Sequence, residues 1–293
     1  MFRYREIDYK NDLDQIHDLI NNHLDPTFTK KLFQKKHLQN PFGRSLGIVA
    51  LHEDRIIGLR MGMKWQLVNG ENGDVITAAR PVDTVVHEDY RKQGIFRKMN
   101  EEFLKLIKNN YDCVFNTPNE KSFPGNMKMG WKLMEDRKYC KVGIVNPFSR
   151  HQEWREISLE EVRFQNYKGD TGYITNFSDP FIVWRYSLDN YYVASFNNEN
   201  SFCIIYKKVL LKGLKAVAVV EILGDPNFFS SMVNSLAKKH KSFFVYFLDH
   251  SYWQSVNFLA TIKRYQPNVL YRGDHCPLPG QIRFSLGDLE AII

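Results

Sequence analysis

The chain has 293 residues, of which 43% are hydrophobic and 14% aromatic, enough for two domains of ordinary size with buried cores. It contains no apolar run near the ~20 residues that a membrane-spanning helix needs, and its first residues lack the apolar stretch of a signal peptide. We therefore expect a cytoplasmic protein with no membrane partner. The net charge of +7, from 40 basic and 33 acidic residues, is compatible with an anionic ligand.

The cysteine spacing argues against a bound metal ion, and the charge distribution argues against nucleic-acid binding. The cysteines are Cys113, Cys140, Cys203 and Cys276. They form no Cys-x-x-Cys pair, so we expect free thiols and no metal ion. The basic residues are scattered and do not interleave with aromatic residues as in a nucleic-acid-binding module.

The first half of the chain predicts a mixed α/β arrangement. "FRYREID" alternates like an edge strand, and helical patterns follow in "NDLDQIHDLINNHL" and "FTKKLFQKKHLQ". Residues 45–88 predict three strands separated by glycine-bearing or tight turns. A helix from about Gly94 to Asn110, the strand "YDCVFNT" and a last strand within "KLMEDRKYCKVGIV" complete this half.

The second half repeats part of that order. After a polar stretch near residues 145–180, strands are predicted in "YYVASFN", "SFCIIYKK" and "LKAVAVVEILG". A helix in "NFFSSMVNSLAKKH", the strand "SFFVYFLD", a helix in "YWQSVNFLATIKRY" and a short strand in "NVLYRG" follow. We therefore predict two domains, 1–145 and 146–293.

The stretch "VVHEDYRKQGIFRKM" predicts an anion site. A strand that ends in a glycine-containing loop and leads into a helix directs several backbone N–H groups to one point, where the helix dipole also favours an anion. Gly94 lacks the Cβ that would block the approach of a phosphate, and Arg91, Lys92 and Arg97 add positive charge. On these residues alone, an ordinary turn with surface cations and no ligand remains an alternative.

The same stretch resembles the acetyl-CoA-binding motif of the GNAT superfamily of N-acetyltransferases, Arg/Gln-x-x-Gly-x-Gly/Ala. Arg91 to Ile95 match, whereas Phe96 stands where the family usually has Gly or Ala. A large residue at that position also occurs in the mycobacterial "enhanced intracellular survival" aminoglycoside acetyltransferases. Asn119, Ser122, Gly130 and Trp131 resemble the segment after the fifth strand of the family. The resemblance implies an α/β (α+β) fold, with a mixed GNAT-type sheet and flanking helices.

The resemblance also implies the ligands, the reaction and the site. Acetyl-CoA would be the co-substrate of an N-acetyltransferase that transfers the acyl group directly to a small amine, such as an amino sugar. The loop amides would hold the pyrophosphate, and the backbone of residues 84–86 would run beside the thioester, where an N–H could polarise its carbonyl. The implied cofactor-binding residues are Thr84, Val85, Val86, Arg91, Lys92, Gln93, Gly94, Ile95, Phe96, Arg97, Asn119 and Ser122.

The catalytic acid and base are less well marked. Many family members have a tyrosine acid four residues before the equivalent of Gly130, where this chain has Asn126. Asp83 is the only carboxylate within its apolar strand, and we predict it as the catalytic residue. A structural ion pair, for example with Arg80, is the alternative for this carboxylate.

Two segments of the second half, "FIVWRYSLDNYY" and "FSLGDLEAI", resemble the second lobe of two-lobed acetyltransferases encoded with bacterial polysaccharide pathways. The residues concerned are Trp184, Arg185, Tyr186, Gly287 and Asp288. This implies a bacterial protein whose second, degenerate GNAT-like lobe walls the acceptor groove. Two other functions remain open, a non-catalytic acyl-CoA-binding sensor and a FemABX-like aminoacyl transferase. The sequence fixes neither the acceptor nor the oligomeric state.

Overall fold

In the computed structural model, the residues described are 1–108, 110–163, 172–187, 190–200, 202–224, 229–273, 276 and 281–289. Internal contacts divide the chain into two compact units. The first comprises Met1–Val68, Asp74–Met134 and Val269–Pro277. The second comprises Asn69–Gly73, Glu135–Asn268 and Leu278–Ile293. No helix within the described ranges is long and apolar enough to cross a bilayer.

The elements are numbered in chain order. The strands are β1 (Phe2–Glu6), β2 (Leu46–His52), β3 (Arg55–Asn69), β4 (Val75–Val86), β5 (Cys113–Asn116), β6 (Lys132–Leu133), β7 (Cys140–Ile144), β8 (Arg155–Ile157), β9 (Tyr173–Thr175), β10 (Tyr192–Ser195), β11 (Cys203–Leu211), β12 (Leu214–Leu223), β13 (Phe244–Leu248), β14 (Ala260–Tyr265) and β15 (Leu270–Arg272). The helices are α1 (Leu13–His23), α2 (Lys30–Leu38), α3 (Ile95–Ile107), α4 (Phe123–Lys128), α5 (Asp179–Tyr186) and α6 (Ser230–Lys239).

The sheet of the first unit runs in the order β1-β2-β3-β4-β5-β15-β6. Its neighbouring strands are antiparallel except for β4 and β5, which are parallel. The three strands predicted between residues 45 and 88 are β2, β3 and β4, and their order in the sheet follows the sequence because tight or glycine-bearing turns join them. The predicted mixed sheet with flanking helices is therefore confirmed.

Helix α3 packs on this sheet through one face. Ile95, Met99, Phe103 and Ile107 recur every four residues and are almost fully buried. Beneath these side chains, β3 has a glycine at position 62. A Cβ there would overlap the ring of Phe103. The helix therefore lies close to the sheet, and its N-terminus is fixed at the end of β4.

Strands β4 and β5 separate soon after they meet. They pair only through Ala78 with Cys113 and Ala79 with Val114. Strand β4 then becomes irregular, because its register against β3 shifts between Leu59 and Met61. At the shift, Asp83 has a φ of 45°, a left-handed conformation that side-chain-bearing residues seldom adopt. The last residues of β4 therefore have an edge that β5 does not cover.

The second unit has its own sheet, in the order β14-β7-β13-β12-β11-β10-β8. Strands β12 and β13 are its parallel pair, and α6 connects them. Aromatic side chains fill its core, with the rings of Phe247 and Trp253 stacked at a centroid distance of 3.9 Å. The helix predicted in "YWQSVNFLATIKRY" is wrong. A short 3-10 helix over Ser251–Ser255 is followed by strand β14, and the β-branched pair Thr261 and Ile262 suits a strand.

One strand of each sheet comes from the other half of the sequence. The strand predicted to close the first half is two strands, of which β6 lies in the first sheet and β7 pairs with β13 in the second. The place between β5 and β6 is taken by β15, from the predicted strand "NVLYRG". The division into domains 1–145 and 146–293 stays a prediction.

Candidate functional site

The loop between β4 and α3 has the backbone that an anion site requires. Lys92 and Gly94 both have left-handed φ values, 65° and 79°, and Gly94 is the residue that precedes α3. A Cβ built at Gly94 meets no atom within 4 Å. The space beside this turn is therefore open to a ligand.

The amides of the loop are unused. In the part of the chain that the structure describes, no group accepts a hydrogen bond from the N–H of Lys92, Gln93 or Gly94. The first helical bond of α3 joins the Lys98 N–H to the Gly94 carbonyl at 3.0 Å, so the amides of residues 95–97 precede it. Six consecutive N–H groups, from residue 92 to residue 97, are thus available at the positive end of the helix dipole.

The arginine side chains of this region, Arg91 and Arg97, contact other groups of the protein. Arg91 donates from Nε to the Val86 carbonyl at 3.1 Å and from Nη2 to the His23 carbonyl at 3.4 Å. Arg97 pairs with Glu101 one helical turn later at 2.9 Å. Their charges raise the local positive potential, while the amides supply the directed donors.

The part of β4 predicted to pair with the pantetheine arm has a free edge among the described residues. Val85 and Val86 pair with β3 on one side, opposite Leu59 and Gly58. On the other side, β5 has already diverged, and among the described residues no strand pairs with 84–86 there. An extended ligand can therefore add to this edge as a strand does.

Asn119 and Ser122 are brought together at the start of α4. The Asn119 Oδ1 accepts from both the N–H and the hydroxyl of Ser122, each at 3.0 Å. The ring of Phe96 reaches towards the same helix, since a Cβ at Gly125 would lie 3.4 Å from Phe96 Cε1. Contact of Asn119 and Ser122 with a ligand stays a prediction.

Asp83 is held by two bases from α2. Its carboxylate lies 2.9 Å from Lys36 Nζ and 2.8 Å from His37 Nε2, and His37 Nδ1 lies 3.0 Å from the Ser45 hydroxyl. Burial alone would raise the pKa of Asp83, but Lys36 and His37 outweigh burial and hold this pKa well below its usual range. The pairing with Arg80 that the sequence analysis considered is wrong. Arg80 instead lies over the ring of Trp65, with its guanidinium carbon 5.1 Å from the centroid.

Arg60 is a candidate site residue that the sequence analysis did not name. It is 2% exposed, donates from Nη1 to the Thr84 hydroxyl at 3.1 Å, and lies 5.8 Å from the ring centroid of Phe96. Within the described ranges, its Nε and Nη2 have no acceptor. Burial lowers the pKa of Arg60 to about 9. A basic residue inside the apolar run "IIGLRMGM" was the available signal.

The position of the family's acidic tyrosine carries a buried amide. Asn126 is 1% exposed, and its Nδ2 donates to the Ser122 carbonyl at 2.9 Å. An amide cannot protonate a leaving thiolate, so no acid stands at this position.

Among the comparisons with known proteins, only the comparison of structures gave matches. No family model matches the sequence, and no curated protein sequence matches it either. A probable N-acyltransferase of unknown function from Enterococcus faecalis V583 superposes with a TM-score of 0.71 at 14% identity, over 94% of this chain and 73% of that one.

Two GCN5-related N-acetyltransferases also superpose on this chain at low sequence identity. The structure from Anabaena variabilis gives a TM-score of 0.70 at 11% identity, over 93% of this chain and 72% of that one. The structure from Kribbella flavida gives 0.65 at 12% identity, over 92% and 71%. The chain therefore has the GNAT fold.

Proposed function

We propose that the protein is an acetyl-CoA-dependent N-acetyltransferase that transfers an acetyl group directly to a small amine, such as an amino sugar. The observation that carries this proposal is the uncovered edge of β4, which leads into six free amides at the start of α3. In a GNAT fold, this is the combination that an extended arm ending in a diphosphate requires.

In this proposal, the amides of residues 92–97 bind the pyrophosphate and the charges of Arg91, Lys92 and Arg97 assist. The pantetheine arm pairs with Thr84, Val85 and Val86. Asn119 and Ser122 lie at the start of α4, where they would flank the same arm.

The acyl-transfer step follows from these positions. A neutral amine attacks the thioester carbonyl, whose oxygen gains negative charge as the tetrahedral intermediate forms. A backbone N–H of β4 and the Arg60 guanidinium beside Thr84 stabilise that charge. The C–S bond then breaks and CoA leaves as a thiolate. By analogy with cysteine, the CoA thiol has a pKa of ~8.5, so the thiolate can leave without an acid at position 126.

The sequence predicts Asp83 as the catalytic residue, but its ion pairs with Lys36 and His37 favour the structural role that was the alternative. A carboxylate whose pKa is held low accepts a proton weakly at neutral pH. We therefore propose that Asp83 fixes the irregular part of β4 through Lys36 and His37, while the proton of the amine leaves to water.

A non-catalytic acyl-CoA sensor is the second candidate, and two observations favour it. The position of the usual acid holds Asn126, and the predicted base is engaged in two ion pairs. A FemABX-like aminoacyl transferase would not need the free amides of the loop, so the loop geometry does not support it.

The test is a thermal shift with acetyl-CoA. At ~100 times Kd, a bound cofactor adds roughly 2.7 kcal/mol of stability. Gly94→Glu places a side chain and a negative charge where the diphosphate would lie, and we expect it to abolish the shift. Gly73→Glu is the matched control, because Gly73 also has a φ of 79° and also has no atom within 4 Å of a built Cβ.

A shift that survives in Gly94→Glu would overturn this placement of the cofactor. Turnover of acetyl-CoA with a panel of small amines then separates the two candidates. Release of CoA that depends on the amine indicates the enzyme, and binding without release indicates the sensor.

A further inference from the structure

The second unit contains a cleft at its own parallel strand pair. Strands β12 and β13 pair only over residues 216–218 with 244–246 and then separate. The cleft is lined by residues after that separation, including Glu221 and His250, and by the segment 283–286 with Asp288. The carboxyl ends of diverging parallel strands are a common place for ligands in α/β sheets.

Glu221 is the central polar residue of this cleft. It is 4% exposed, and its Oε1 accepts hydrogen bonds from the Tyr186 hydroxyl, at 2.6 Å, and from the Ser285 hydroxyl. Both hydrogen bonds that the described residues donate to Glu221 go to Oε1, and none goes to its second oxygen, Oε2. Buried polar atoms normally have a hydrogen-bond partner, so a carboxyl oxygen on a cleft wall without one is suited to bind a ligand that donates hydrogen bonds.

A second carboxylate lies in the same cleft. Asp288 is 2% exposed and is fixed by the Thr175 hydroxyl at 2.5 Å and by the Ser285 N–H at 2.8 Å. Burial and the charge of Asp288 together raise the pKa of Glu221 well above its usual value, so the charged form of Glu221 is disfavoured until a cation enters the cleft. Arg185 acts in the opposite direction, but it lowers the pKa of Glu221 by less than burial and Asp288 raise it.

Aromatic side chains provide an apolar wall. Tyr252 and Trp253 line the cleft, and the ring of His250 stacks on Tyr252 at a centroid distance of 5.3 Å. Such faces cover the carbon skeleton of a small ligand and attract a cationic group.

We propose that this cleft binds a small primary amine as its ammonium ion, with Oε2 of Glu221 as the ligating atom. Asp288 supplies the second negative charge, and Tyr252 and Trp253 cover the carbon skeleton. The site lies within the second unit and goes beyond the proposed acetyl transfer, because it needs neither the β4–α3 loop nor acetyl-CoA.

The test is calorimetric titration of the full chain with glucosamine, and with glucose as the ligand that carries a hydroxyl in place of the amine. We expect binding of glucosamine and at least ~10-fold weaker binding of glucose, because an ion pair with a buried carboxylate is lost. Glu221→Gln keeps an oxygen for Tyr186 and Ser285 but cannot become negatively charged when the ammonium ion enters, and we expect it to weaken glucosamine binding at least ~10-fold. Glu160→Gln, an exposed change in the same unit, is the matched control.

Equal affinity for both sugars, or glucosamine binding that Glu221→Gln leaves unchanged, would overturn the proposal. If Glu221→Gln does not fold, the indole N–H resonance of Trp253, measured by NMR in the wild-type protein, decides whether glucosamine binds in this cleft. It should shift with glucosamine and stay in place with glucose, and the opposite pattern contradicts the site. The same titration in Gly94→Glu should give unchanged affinity, which keeps this result separate from any failure of acetyl-CoA binding.

Discussion

Asp83 and Arg60 lie at the same irregularity between β3 and β4, and the protein compensates their charges differently. Asp83 has two basic partners from α2 at hydrogen-bond distance. Arg60 has a hydroxyl and aromatic faces, with no carboxylate partner in the described ranges. A buried ion without an opposite charge is costly unless a ligand or a reaction intermediate uses it. The two residues should therefore respond differently to neutral substitution.

Asp83→Asn should destabilise the protein by about 3 kcal/mol at pH 7, because it leaves Lys36 and His37 without their buried counter-ion. The folded-state pKa of Asp83 lies below its unfolded value of ~3.9, so the ionised carboxylate contributes stability above that value. This contribution is lost as the pH falls through ~4 towards the folded pKa. In urea unfolding between pH 7 and pH 3, the stability difference between the two proteins should therefore begin to narrow below about pH 4.

Glu101→Gln is the control for this experiment, since it removes an exposed ion pair with Arg97 and should not change the unfolding midpoint measurably. A difference between wild type and Asp83→Asn that stayed constant from pH 7 to pH 3 would mean that the ion pairs do not stabilise the fold.

Arg60→Met should separate catalysis from stability. Methionine has a similar length and no charge, and replacing a buried ion by an apolar side chain is often neutral or stabilising. If the guanidinium stabilises the developing oxyanion beside Thr84, kcat should fall by ~10-fold or more while KM for acetyl-CoA changes little.

Steady-state kinetics and a thermal melt check this prediction together. Arg3 lies on β1 and forms an exposed ion pair with Asp54, so Arg3→Met is the comparison and should leave both measurements unchanged. A kcat equal to that of the wild type would assign Arg60 to packing alone.

At the scale of elements, local patterns were sufficient to predict the loop between β4 and α3 and the helix that follows it. The apolar spacing of α3, the glycine before it and the apolar end of β4 lie within about 30 consecutive residues, and each is a short-range signal. The structure places Gly94 at the residue before α3 and gives it the left-handed φ that favours glycine.

Contacts between distant residues could not be predicted in this way. His37 reaches Asp83 across 46 positions and Arg60 reaches Thr84 across 24, and neither distance is encoded in a periodic pattern. The segment after Ser251 shows a related failure. Its apolar residues fit a helix, but pairing of β14 with β7 decides its conformation, and the sequence of one strand does not specify its partner.

At the scale of the whole molecule, the exchange of β7 and β15 decides how the chain can be divided. Without β15, the first sheet loses the strand between β5 and β6, and Leu270, which is fully buried in that sheet, is missing from its core. A fragment that ends at residue 145 would instead carry β7 without its neighbours β13 and β14. Both defects leave unpaired strand edges, which favour aggregation.

Fragment 1–145 should therefore fail to unfold cooperatively, whereas residues 1–134 joined through a short Gly-Ser linker to residues 266–277 should fold better. The second fragment restores the β5-β15-β6 pairing and omits β7, so its sheet has the strands that the first unit has in the full chain. Near-ultraviolet circular dichroism during a thermal melt measures the difference, with the full chain as reference. A sharp transition in fragment 1–145, matching that of the linked fragment, would show that β15 is dispensable and that the predicted boundary at 145 separates independent domains. A sharp transition in the linked fragment alone would place the boundary of the first domain at the exchanged strand.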